Sequence, residues 1–153
     1  PDICALTDAF YIGGTKNGAL LGEALVIVNP ALTADIRYII KQRGGMLAKG
    51  RVVSLQFVEL FHDGLYLELA SHANRMADAL RQGIARAGYS FLSDSPSNQL
   101  FPIFPNALAE RIVAEFHGEM WSKPDGAHTC VRLVTSWATQ PEAVAAFLAA
   151  LNA

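Results

Sequence analysis

Cysteine is nearly absent: Cys4 and Cys130 are the only two in 153 residues. They stand far apart and match no metal-ligand spacing, which excludes a cysteine metal site and a disulfide framework. Two reduced, buried thiols in a cytoplasmic protein are expected. Charge is also sparse, at 17% of residues with a net −2, and no basic block occurs. That excludes the electrostatic footprint of a nucleic-acid or anionic-membrane partner. No apolar run reaches the roughly 18 residues of a membrane-spanning helix, and no signal peptide is read. Repeats and low-complexity tracts are missing, and His62, His117 and His128 show no metal spacing. What is plentiful is apolar side chain, at 52%. A sizeable buried core in one or two domains follows. The chain begins with Pro1 rather than Met, and it is expected to be a piece of a longer enzyme.

The pattern along the chain alternates strand and helix. Residues 8–12 read as a short strand running into the glycine turn Gly13-Gly14-Thr15-Lys16-Asn17-Gly18. Glu23 to Val28 reads as a second strand, apolar on both faces and therefore buried. Thr33-Ala34-Asp35 opens a helix to Gln42, with Ile36, Ile39 and Ile40 on one face, and Gly44-Gly45 ends it. Arg51–Phe61 is a further helix. A long helix spans 64–87, with Leu65, Leu69, His72, Met76 and Leu80 at helical spacing, and Gly88 stops it. After the turn cluster 93–98 the pattern predicts a strand at 99–104, a helix at 105–116, a short strand around Trp121, a strand at 129–135 and a helix at 141–151. Strand-helix-strand-strand-helix is the order of a small α+β layer. The expected division is 1–87 and 88–153, inside or just after the long helix. Trp121 and Trp137 are expected in the core.

Three segments carry chemistry. Lys16 follows an apolar strand directly, where an ammonium loses hydration and its pKa falls. A partly neutral amine attacks carbonyls and forms Schiff bases. The alternative is an ordinary turn lysine. Lys41-Gln42-Arg43-Gly44-Gly45 leads to Lys49-Gly50-Arg51, so cations flank a helix start whose free N–H groups attract anions. This is either a phosphate site or a solvated helix junction. Arg132 interrupts the apolar strand around Cys130-Val131-Arg132-Leu133-Val134-Thr135-Ser136-Trp137, where a planar guanidinium suits a carboxylate. No acidic partner lies within that strand, and the alternative is an edge arginine turned to water.

Taken together, GGTKNG, GEALV, KQRGG…AKGR, HAN and VRLVTSW occur in one order across nearly the whole chain. That order resembles the C-terminal half of a threonine aldolase, in the β-eliminating lyase group of fold-type-I pyridoxal-phosphate (PLP) enzymes. The resemblance implies an α/β fold: the end of a PLP fold-type-I large domain, a long connecting helix, and a small α+β domain. It implies that Lys16 bonds covalently to PLP, with the Thr15 hydroxyl near the phosphate. It implies that Lys49 and Arg51 touch a partner subunit's phosphate in a homodimer or homotetramer. It implies that Arg132 binds the α-carboxylate of a small amino-acid substrate, which is cleaved to glycine and an aldehyde. Asp8 reads as local structure, and His72 and Asn74 as packing or capping groups on the long helix. Two other readings stay open: another fold-type-I enzyme, such as an aminotransferase or β-eliminating lyase, and a non-catalytic α+β module.

Overall fold

In the computed structural model, which describes residues 2–151, the chain divides into two compact units between Leu67 and Glu68. After a short helix α1 (Asp2–Leu6), the first unit is built on an antiparallel hairpin, β1 (Ala9–Gly13) and β2 (Glu23–Ile27), with Gly13 opposite Glu23. Asp8 closes its open end: its carbonyl accepts from the Val28 and Asn29 N–H groups, and its carboxylate accepts from the Asn29 amide. Helices α2 (Ile36–Gln42) and α3 (Arg51–Phe61) follow, and α4 (Leu65–Arg86) begins. The helix expected from Thr33 starts at Ile36, because Asp35 takes a left-handed backbone at φ 53°. Gly44, at φ 78°, ends α2, and the Gly45 N–H closes on the Ile40 carbonyl as helix-terminating glycines do.

The expectation of buried strands in this unit fails. Half-buried and exposed residues alternate along β1, with Tyr11 69% exposed, and no β2 residue is fully buried. The hairpin has no further strand beside it among the described residues, so its outer edges are unpaired, and the alternation leaves one face half-buried and the other exposed. The Ile36, Ile39 and Ile40 face of α2 is likewise not buried. Fully buried apolar side chains in this unit are Ala19, Phe57 and Leu60, and Phe57 lies under the Lys16 turn.

The second unit holds the main core. Its sheet is antiparallel and four-stranded around β6 (His128–Val134). On one edge of β6 lie β3 (Gln99–Leu100) and β4 (Ile103–Pro105); on the other lies β5 (Glu119–Ser122). The single strand expected at 99–104 is interrupted at Phe101-Pro102, since proline has no N–H to give to a ladder. Its register against β6 nevertheless continues, and the Val131 N–H donates to the Pro102 carbonyl at 2.9 Å. Helices α4, α5 (Asn106–Phe116) and α6 (Pro141–Ala150) cover one face. Ala77, Leu80 and Ile84 of α4 pack there with Leu100, Phe104, Ile112, Val131, Leu133 and Phe147. The division falls within α4, near its start, and the buried positions of this helix, from Ala73 onward, all lie in the second unit. No helix among the described residues is long and apolar enough to cross a membrane.

Three expectations about single side chains are corrected. Trp121 and Trp137 are 51% and 45% exposed rather than core. Trp121 sits at a bulge in β5, where its indole lies on the sheet face away from the helices, against Phe101 with ring centroids 5.2 Å apart. Cys130 is buried, and burial pushes its thiol pKa up, with a hydrogen bond to Ser122 opposing; Cys4 is exposed on α1.

Candidate functional site

The first constellation is the loop between β1 and β2. Its backbone is pinned by hydrogen bonds that the sequence does not advertise. The Gly14 carbonyl accepts from both the Asn17 and Ala19 N–H groups at 2.9 Å, so the backbone winds around Lys16. The Asn17 amide donates to the Tyr66 carbonyl at 2.7 Å, and the Tyr66 hydroxyl returns a bond to the Gly13 carbonyl at 2.8 Å. From α3, the Gln56 side chain accepts from the Leu20 N–H at 2.6 Å and donates to the Leu21 carbonyl at 3.2 Å, as a neighbouring strand would. Gly14 is buried against this helix: a Cβ there would meet Ala19 Cβ at 2.7 Å and Phe57 Cζ at 2.8 Å.

On this braced turn Thr15 and Lys16 are both exposed. The desolvation expected at the exit of a buried strand is therefore not provided by the residues of this unit, because the strand itself is open. What the unit provides is position: an amine on a turn tied to α3 and to the start of α4. Lys49 and Arg51 are exposed where α3 begins, with Gly50 at its N-cap. The Val52, Val53 and Ser54 N–H groups are taken by the Lys49 and Gly50 carbonyls, so the two cations rather than open helix N–H groups carry the positive charge there. No hydrogen bond or ion pair joins them to the Lys16 turn among the described residues; α3 connects the two through Gln56 and Phe57.

The second constellation surrounds Arg132. Because β6 is the central strand, the reading of an edge arginine turned to water is wrong. The missing acidic partner comes from the next strand: Glu119 is directly opposite Arg132 in the register, and its Oε2 accepts from Arg132 Nη1 at 2.7 Å. Gln99 Oε1 accepts from Arg132 Nε at 2.9 Å. The Trp121 ring lies beneath the guanidinium, 5.9 Å from centroid to Cζ, within cation–π range. The Arg132 side chain is 31% exposed and that of Glu119 58%. These groups share the sheet face away from the helices, since Val131 and Leu133, one position to either side, enter the core. His72 has a structural part: its Nε2 meets the Thr139 carbonyl at 2.8 Å, while Asn74 is exposed in the middle of α4. Sequence reasoning missed Gln99, Glu119 and Trp121, because their approach to Arg132 depends on strand register, which no local pattern encodes. Gln56 and Tyr66 escaped it for the same reason, lying tens of residues from the loop they brace.

Comparison with known proteins gives one consistent direction. No protein-family model matches the chain. It is 37% identical over 102 residues to the low specificity L-threonine aldolase of Pseudomonas sp. strain NCIMB 10558, covering 66% of this chain and 27% of that protein. It is 36% identical over 95 residues to the enzyme of the same name from Pseudomonas aeruginosa, covering 61% and 28%. Among solved structures, Leishmania major threonine aldolase superposes with a TM-score of 0.90 at 41% identity, over 99% of this chain and 44% of that one. Sphingomonas wittichii serine palmitoyltransferase superposes with a TM-score of 0.64 at 15% identity, a likeness of fold alone. The chain thus spans between about a quarter and a half of the length of the proteins it matches.

Proposed function

Since this chain is homologous to the threonine aldolases and shares the α/β architecture of fold-type-I PLP enzymes, we propose that it serves a PLP-dependent aldolase that cleaves threonine or a related β-hydroxy amino acid to glycine and an aldehyde. The observation that carries this reading is the Lys16 turn, an amine on a loop braced by Gln56, Asn17 and Tyr66.

In this reading Lys16 holds the cofactor covalently, and the Thr15 hydroxyl donates to its phosphate. Bound there, PLP supplies the sink for the electron pair left when a bond at the substrate's Cα breaks. Arg132 binds the α-carboxylate. A planar guanidinium fixes the direction of that carboxylate, and hence which bond at Cα is aligned for cleavage. With Cα–Cβ aligned, transfer of the β-hydroxyl proton to a base lets the Cα–Cβ bond break and the aldehyde leave, and a proton returned to Cα completes glycine. Lys49 and Arg51 neutralise phosphate across a subunit interface in a homodimer or homotetramer. Support for that interface comes from α3, which opens with Arg51 and exposes Val52, Leu55 and Val58 at 60–65%.

The test is borohydride reduction of the PLP-loaded holoenzyme followed by peptide mapping. The cofactor adduct is expected on Lys16; an adduct on any other lysine overturns the assignment. Product analysis with threonine separates the reaction types. Glycine and acetaldehyde are expected, whereas keto acid and ammonia would mark an aminotransferase or β-eliminating lyase.

A further inference from the structure

The Arg132 guanidinium does not wait bare for a substrate. Its Nε carries a single hydrogen, and Gln99 Oε1 takes it at 2.9 Å. The side-on fork of an arginine uses Nε and the Nη nearest it, so a carboxylate arriving at that fork finds one of its two donors already engaged. The end-on edge, Nη1 with Nη2, remains. There Glu119 Oε2 holds Nη1 at 2.7 Å, and Trp121 covers one face of the plane. Among the described residues nothing accepts from Nη2. Glu119 is the more exposed of the ion pair and sits on a short strand with a bulge after Met120, so its side chain is free to swing toward water.

We propose that Glu119 is an internal stand-in for the substrate carboxylate: it occupies the end-on edge of Arg132 until an amino acid displaces it, while Gln99 closes the side-on fork and thereby sets the approach. The inference rests on the reading of Arg132 as the carboxylate site. Two consequences follow from charge. The free site is close to neutral, so a zwitterionic amino acid competes with a tethered anion instead of meeting an unopposed cation. The competition is the same for any carboxylate ligand and absent for an amine without one. Glu119 and Gln99 are positioning residues, acting only through Arg132.

The experiment measures glycine and methylamine binding to the holoenzyme by the change in cofactor absorbance, and takes the ratio of the two Kd values as the worth of the carboxylate. Glu119→Gln keeps an acceptor for Nη1 but removes the competing charge. It is expected to tighten glycine about two- to fivefold, the worth of an ion pair at this exposure, and to leave methylamine unchanged. Gln99→Glu adds a second anion beside the guanidinium and is expected to weaken glycine by a similar factor. Glycine affinity that is unchanged or weaker in Glu119→Gln overturns the stand-in role, provided that Arg132→Ala collapses the ratio. If Arg132→Ala itself leaves the ratio intact, the parent assignment of Arg132 falls, and this inference with it. Glu119→Asp, with a shorter reach for the same charge, is expected to lie between Glu119→Gln and the native protein; a purely structural role for Glu119 gives no such order.

Discussion

In the role proposed for it, Arg132 gives a bound carboxylate a charge-assisted hydrogen bond worth about 1.5–3 kcal/mol, which truncation would remove. Arg132→Ala is therefore expected to lower kcat/KM for threonine by roughly ten- to a hundredfold or more, with PLP retained at its usual absorbance. An unchanged kcat/KM removes Arg132 from the site. The variant also leaves Glu119 without a partner, but that carboxylate is 58% exposed, so water replaces the lost donor and the fold is expected to survive. At this scale the sequence is legible where chemistry breaks a pattern. Lys16 stands out because an amine ends an apolar run, and Arg132 because a cation interrupts a β-rich one. The groups that set their behaviour are silent in sequence. Glu119 and Gln99 are ordinary polar residues on ordinary strands until the register puts one opposite Arg132 and the other diagonal to it. The burial expected along the strand before Lys16 is read less well, since within its own unit β1 alternates half-buried and exposed residues.

Elements were read more easily than their surroundings. Arg51–Phe61 is a helix as expected, and α4 ends at Arg86, two residues before Gly88, which adopts φ 89°, a backbone that glycine takes without strain. The break at Phe101-Pro102 needed only the rule that proline cannot donate. By contrast, the clamp of α3 on the Lys16 loop joins segments that no periodicity links, and it is open to a direct test. Gly14 is packed so closely that an added methyl meets Ala19 Cβ at 2.7 Å and Phe57 Cζ at 2.8 Å. Neither is the end of a flexible chain: one is a Cβ, the other a ring held in the unit's small buried cluster. Gly14→Ala is expected to cost about 1–3 kcal/mol by overpacking, concentrated in the first unit. It should shift the Lys16 turn, so the holoenzyme's cofactor absorbance is expected to change along with its stability. A variant as stable as the native protein, with an unaltered spectrum, would show that α3 does not set the position of the turn.

For the whole molecule, the proposed reading needs cations to meet the cofactor's phosphate. Lys49 and Arg51 make no ion pair with an acidic side chain among the described residues, and the helix they begin leaves Val52, Leu55 and Val58 exposed. Two uncompensated cations beside an uncovered apolar stripe are what one half of a symmetric interface looks like, since a two-fold axis presents the same patch from each subunit. If the cations serve the partner's cofactor, each complete site takes Lys16 from one protomer and the cations from the other. Lys16→Ala holoenzyme and the double variant Lys49→Ala/Arg51→Ala are each expected to be inactive alone. Unfolded together and refolded, they form hybrids in which one site holds the intact lysine of one chain and the intact cations of the other. Random pairing makes half of the dimers hybrid with one good site in two, so activity is expected to return to about a quarter of the native value. Were the cations to act within their own subunit, every site in the mixture would lack either the lysine or the cations, and hybrids verified by differential tagging would stay inactive. That result would assign Lys49 and Arg51 to their own subunit's site, whereas a double variant that is fully active alone would return them to the solvated helix junction that the sequence alone also allowed.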